Sequence, residues 1–291
     1  MSTDLFAAIR KLGTELSPPL FEGTLGLFAP LAPRPTPDFC SVERDVVYGP
    51  DARHRMDIFY PPQANTAARP VIIFVHGGGF VRGDKGAADA AFYSNVGAWA
   101  VRSGLLAVTL NYRLAPGARW PAGPEDLALA LDWLAKDVRK FGGDSGRLFL
   151  IGQSAGAAHV AGYVVGQHGR QSAPKLAGAM MLSGIYDLVS LQHSQFEEAY
   201  FGADRTRFAA ASTLPGLAQT DVPCLFTISE LDPATFHQQA ARLVEARWAA
   251  KAVLPRLLYQ QGHNHISPIL QLGTAFDTLG NELLAFIGRA S

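Results

Sequence analysis

The chain has 291 residues, 48% hydrophobic and 17% charged, with 25 Lys plus Arg against 25 Asp plus Glu. That is enough apolar material for a large core, which excludes a disordered tail and a disulfide-stapled miniprotein. A net charge of zero provides no field to draw nucleic acid or an anionic membrane, so neither is an expected partner.

Cys40 and Cys224 share no metal-ligand or redox spacing and read as core thiols. Asp4 and Lys11 fall before any unbroken apolar run can form, so no secretory leader is read at the start. No stretch of about 18 apolar residues follows, and a cytoplasmic location is the expectation.

In chain order, Leu5, Phe6, Ile9, Leu12 and Leu16 recur at helical spacing, with Pro18-Pro19 as the expected stop. Residues 29–37 are proline-rich. Short apolar runs with β-branched or aromatic residues then predict strands at 56–60, 71–76, 105–112, 148–152, 177–183, 224–230 and 257–261. Helical patterns lie between them at 87–102, 124–141, 155–167, 234–250 and 267–287. Such alternation predicts an α/β fold with a mostly parallel sheet and helices on both faces. Residues 184–222 break the rhythm with a long connection of mixed aromatic, acidic and turn residues, the mark of a lid or binding element.

The strand at 148–152 and the helix at 155–167 leave only Gln153 and Ser154 between them, giving Gly152-Gln153-Ser154-Ala155-Gly156. Small residues at 152 and 156 let a sharp turn force the serine into strained backbone and expose its hydroxyl. The helix N-terminus favours negative charge there. After the earlier strand, Gly77-Gly78-Gly79-Phe80 has no following Lys-Ser/Thr, so it is no P-loop. Its unshielded N–H groups suit an oxyanion, with Gly78, Gly79 and Ala155 as donors. His76 reads as structural.

A serine needs a base, and the base needs a carboxylate to fix its tautomer. Both are expected at carboxyl ends of strands, in the order serine, acid, histidine. Asp232 and His265 fit. Glu230 stays open as the acid, although it falls on the strand itself. His263 stays open as the base, although His265 directly precedes the last helix. The remaining histidines, His159 among them, have no motif context.

The chain resembles the hormone-sensitive lipase-like carboxylesterases of the α/β-hydrolase fold. The resemblance rests on H-G-G-G-F-V-R-G-D at 76–84, N-Y-R-L-A-P at 111–116, P-A-G-P-E-D at 121–126, F-G-G-D at 141–144, G-Q-S-A-G at 152–156 and D-P at 232–233. It covers roughly residues 45 to 290. It implies an oxyanion hole of Gly78, Gly79 and Ala155, a structural Arg113–Asp126 ion pair, and a small helical cap. The cap would be built from residues 1–40 and an insertion at about 185–216 of the 41–291 catalytic domain. Gln153, Ala157 and the segment H-N-H-I-S depart from the family pattern and lean toward kynurenine formamidase and bacterial feruloyl-esterase-like relatives.

The expected activity is hydrolysis of a small-molecule ester by Ser154, His265 and Asp232, with no metal or organic cofactor. Phe80, Phe28 and Tyr200 are expected to contact substrate in a largely apolar pocket. The alternatives are an arylformamidase and a non-catalytic receptor on the same fold. The resemblance also admits a homodimer.

Overall fold

The computed structural model describes residues 2–62 and 68–290. Eight strands, β1 (Ser41–Val47), β2 (Arg55–Tyr60), β3 (Arg69–Val75), β4 (Leu106–Leu110), β5 (Gly143–Gln153), β6 (Gly178–Leu182), β7 (Cys224–Leu231) and β8 (Arg256–Asn264), form one sheet. Their order is β1-β2-β4-β3-β5-β6-β7-β8. β2 runs antiparallel to its neighbours β1 and β4, and the pairs from β4 through β8 are parallel.

The apolar runs of the central strands follow from burial on both faces. Within β3, Val71, Ile73 and Val75 belong to one core and Ile72 and Phe74 to the other. The first core packs α4 (Ala122–Asp137) and α5 (Ala155–Val164) against the sheet through Leu127, Leu131 and Val160. The second packs α3 (Ser94–Arg102) and the C-terminal helix Gly280–Arg289 through Val96, Trp99, Leu283 and Phe286. Each fully buried side chain of this size is worth roughly 2 kcal/mol, so the sheet faces dominate folding.

The long connection after β6 carries α6 (Gln195–Phe201), α7 (Phe208–Ala211) and α8 (Leu214–Gln219), followed after β7 by α9 (Ala234–Lys251). Its residues Ile185, Leu188, Leu191, Tyr200, Phe201 and Phe208 build a third, smaller core with Phe80, Ile228 and Phe236, over the carboxyl ends of the strands. A capping box at Ser194 and Glu197 starts α6, satisfying two N–H groups that would otherwise lack partners.

Four local expectations are corrected. Pro18-Pro19 does not end a helix: α1 (Ser2–Lys11) has already stopped, and the prolines open α2 (Pro18–Phe28), where a missing N–H costs nothing. β1 carries alternating half-exposed residues at the sheet edge, too polar a pattern to read as a strand. The helix expected over 87–102 begins only at Ser94. The helix expected over 267–287 is two, α10 (Ser267–Leu270) and α11 (Gly280–Arg289). Gly273 at φ +77° interrupts it, and Asp277 Oδ1 accepts the N–H groups of Leu279 and Gly280 at 3.0 and 2.7 Å to start the second. No helix among the described residues is long and apolar enough to cross a membrane.

Candidate active site

β5 ends at Gln153, Ser154 stands alone, and α5 starts at Ala155. Ser154 has φ +56° and ψ −119°, the left-handed side of conformational space that costs a non-glycine residue about 1–3 kcal/mol. The flanking glycines make this possible. A Cβ on Gly152 would lie 2.3 Å from Gly156 O, and one on Gly156 would lie 2.1 Å from Val75 O and 2.6 Å from His76 O. All three atoms belong to backbone that cannot swing aside. Gly156→Ala should therefore destabilise by about 3 kcal/mol or more despite alanine's better helix propensity. Urea unfolding measures it, and a neutral or stabilising result would show that the helix and strand are not in this contact.

His265 Nε2 lies 2.8 Å from Ser154 Oγ, and His265 Nδ1 lies 2.5 Å from Asp232 Oδ1. A carboxylate only accepts, so Nδ1 carries the proton and Nε2 is left as the acceptor for the serine hydroxyl. The other oxygen of Asp232 accepts from Ser183 Oγ at 2.7 Å and from the Ser229 N–H at 2.6 Å. Asp232 and His265 are buried, and the Phe236 ring lies 4.3 Å from the imidazole. Ser183, Ser229 and Phe236 carry no sequence signal of their own. Ser183 sits just past β6, where site residues of parallel sheets gather, but serine is too common there to be singled out.

The two residues left open by sequence are engaged elsewhere. Glu230 pairs with the Arg10 guanidinium of α1 and accepts the Gly262 N–H at 2.7 Å; the Arg10 hydrogen bond holds its carboxyl below the ordinary range. His263 Nδ1 is 2.8 Å from Ser267 Oγ, with the Phe6 ring edge-on at 5.3 Å.

Gly78 and Gly79 follow β3 with φ of +125° and +60°. A Cβ on Gly78 would lie 2.0 Å from Arg82 O, and one on Gly79 would press the Phe196 ring at 3.2 Å. Among the described residues no backbone acceptor takes the N–H of either glycine. Together with Ala155 they line one cleft of about 590 Å³ that also contains Ser154 and His265. The α2 residues Phe21 and Glu22 and the insertion residues Leu191 and Phe196 line it as well.

Phe80 reaches this cleft, whereas Phe28 and Tyr200 do not. Phe28 faces inward from α2 into the core beside Ile9 and Trp99. Tyr200 lies behind Phe80, stacked on it at 4.7 Å, with its hydroxyl accepting the Gly123 N–H at 3.0 Å. An aromatic residue on an amphipathic helix turns its ring to the core unless something outside competes for it. Arg113 and Asp126 pair as expected, at 2.6 Å.

Three histidines near the site are buried without charge. Burial pushes His76 down to about 4, His159 to about 3 and His263 to about 4. Unfolded, each titrates near 6.5, so below that pH the unfolded chain takes up protons that the folded chain refuses. Stability is full above about pH 6.5 and falls toward pH 4. The expected loss at pH 5 is on the order of 1–2 kcal/mol per histidine, read as a lower urea midpoint; a midpoint equal at pH 7.5 and pH 5 would contradict it.

The sheet order, with a serine, an acid and a histidine following three of its parallel strands in that sequence, defines the class: an α/β-hydrolase. The chain belongs to the BD-FAE family, whose model matches residues 56–246. Among curated proteins, Esterase LipC of Mycobacterium tuberculosis is 34% identical over 133 residues, 43% of this chain and 32% of that protein. Chlorogenic acid esterase of Aspergillus niger is 30% identical over 177 residues, 57% of this chain and 32% of that protein. The matches thus span about a third of the length of these relatives. Among solved structures, an inhibited esterase B from Lactobacillus Rhamnosis superposes with a TM-score of 0.76 at 16% identity, covering 99% of this chain and 96% of that one. A truncated carbohydrate esterase from gut microbiota gives 0.73 at 18% identity, covering 88% and 98%. At these identities the likeness is one of fold.

Proposed function

We propose that this chain hydrolyses small-molecule carboxylic esters through an acyl-enzyme on Ser154. The observation that carries the reading is the continuous line Asp232–His265–Ser154 opening into a cleft beside two glycine N–H groups that have no backbone acceptor among the described residues. The esterase names of the curated relatives support the same reaction class.

Ser154 Oγ bonds to the ester carbonyl carbon while its proton passes to His265 Nε2. The carbonyl oxygen takes the negative charge and accepts from Gly78, Gly79 and Ala155, each donor worth about 3 kcal/mol in the transition state. The bond to the alcohol oxygen breaks and His265 returns the proton to it. Water then attacks the acyl carbon, His265 takes its proton, and the acid leaves as Ser154 is reprotonated. Asp232 holds the tautomer throughout and stabilises the imidazolium. Every step uses groups of this chain and water. The N-terminal segment 1–40 and the insertion near 185–216 act as the cap that shapes the cleft, with Phe21, Phe80 and Phe196 giving it an apolar wall suited to an acyl or alcohol group.

The test is turnover of p-nitrophenyl esters of increasing acyl length beside N-formylkynurenine. Ester turnover with a defined length optimum is expected. A clear excess for the formyl amide would move the reading to an arylformamidase. Inertness toward both, with no labelling by a fluorophosphonate, would overturn it.

A further inference from the structure

Gln153 is the last residue of β5, between Gly152 and the serine, and is 3% exposed. Its side-chain Nε2 donates to the backbone carbonyl of His265 at 3.0 Å, across 112 residues of sequence. The amide lies against Gly77. A Cβ at that position would meet Gln153 Oε1 at 2.4 Å, the Gln153 carbonyl oxygen at 3.1 Å and Ser154 Cβ at 3.3 Å. Gly77, unlike Gly78 and Gly79, is not in the left-handed region, so the backbone does not require glycine there. What requires it is the space taken by the glutamine.

We infer that Gln153 is a positioning residue that locks the loop of His265 to the nucleophile turn, and that Gly77 is small in order to seat it. The inference rests on the reading of Ser154 and His265 given above. Asp232 holds the imidazole by its ring nitrogen and Phe236 packs beside it, but neither contact holds the backbone from which the ring hangs. The bond to the carbonyl of the same residue fixes the other end. A base held at both ends keeps Nε2 within reach of Oγ, where small displacements are costly. The residue type matters: an amide donates to a carbonyl, whereas an ionised carboxylate only accepts. A carboxylate here would leave the His265 carbonyl without its donor and set a buried negative charge beside the imidazole.

Three measurements test this. Gln153→Met keeps length and volume but removes the donor, and kcat for p-nitrophenyl acetate should fall about 10- to 100-fold with KM within about threefold. Gln153→Glu should approach the wild type at low pH, where a protonated carboxyl still donates, and lose ground steadily as pH rises and the carboxyl ionises. A packing role alone would lower activity equally at all pH values. The third measurement, the crystal structure of Gln153→Met beside that of the wild type, needs no turnover: His265 Nε2 should draw away from Ser154 Oγ. A kcat for Gln153→Met within twofold of the wild type, or a Gln153→Glu deficit independent of pH, would overturn the inference. If the wild type hydrolyses no ester and takes no fluorophosphonate, it is the esterase reading that fails. The structural comparison then decides alone, an unmoved His265 overturning the role of Gln153 and a displaced one upholding it.

Discussion

Ser154→Ala is expected to lower kcat for a p-nitrophenyl ester by on the order of 10⁵ to 10⁶ and to abolish fluorophosphonate labelling. His265→Ala should fall almost as far, because the two act as a unit: without the base the hydroxyl is a poor nucleophile, and without the hydroxyl the base has nothing to activate. Residual activity of about 10³ over water should survive in both from the oxyanion donors and binding. The fold should tolerate the serine change, since Ser154 Oγ is only part-buried and, among the described residues, its one side-chain partner is His265. Losing the hydroxyl also relieves nothing in the backbone, because alanine at φ +56° is as strained as serine. His263→Ala is the internal control. Its ring packs on Phe6 and bonds Ser267, so it should lower the melting temperature while leaving kcat within severalfold. Should His263→Ala be the inactive variant, the base would be misassigned by two residues.

Asp232→Asn is expected to cost about 10⁴ in kcat with little change in KM. The asparagine amide can donate to the imidazole where the carboxylate accepted, which favours the tautomer with the proton on Nε2, and that nitrogen can then no longer take the serine proton. Asp232 also accepts from Ser183 Oγ and the Ser229 N–H on its second oxygen. Asparagine has only one acceptor atom to meet those donors, so rotating the amide to spare the histidine would leave them without a partner. Glu230→Gln provides the contrast. Its carboxylate joins α1 to β8 at Gly262 on a partly exposed surface, where such pairs contribute about 1 kcal/mol or less. Its kcat should stay within about twofold of the wild type. Equal losses in the two variants would show that neither carboxylate has a distinct role at the imidazole.

The strands with continuous apolar runs were legible because both faces of a parallel sheet are buried, so few polar residues interrupt them. β1 was not, since an edge strand with one half-exposed face reads like a loop. The elbow was legible because much of its requirement is local: Gly152 is needed by the Gly156 backbone that the same turn brings close, although Gly156 is needed by Val75 and His76 at the end of β3. Helix ends were less so. The break before α11 depends on Gly273 entering the left-handed region and on Asp277 collecting two N–H groups, and neither event leaves a period in the sequence.

From its sequence alone, this protein's parallel α/β sheet, the strained serine turn, the glycine run after β3 and the order of serine, acid and histidine are determined. Each follows from sterics, periodicity or backbone geometry acting over a few neighbouring residues. That Asp232 and His265 line up on Ser154 while Glu230 and His263 are engaged elsewhere is decided by tertiary structure, because the contacts that separate them join residues 33, 111 and 220 positions apart. The same holds for the aromatics: nothing in α2 or α6 tells Phe28 and Tyr200, which turn into the cores, from Phe21 and Phe196, which face the cleft. Local rules place a residue on an element. What its side chain meets depends on which distant element covers it, and that is fixed only when the chain closes on itself.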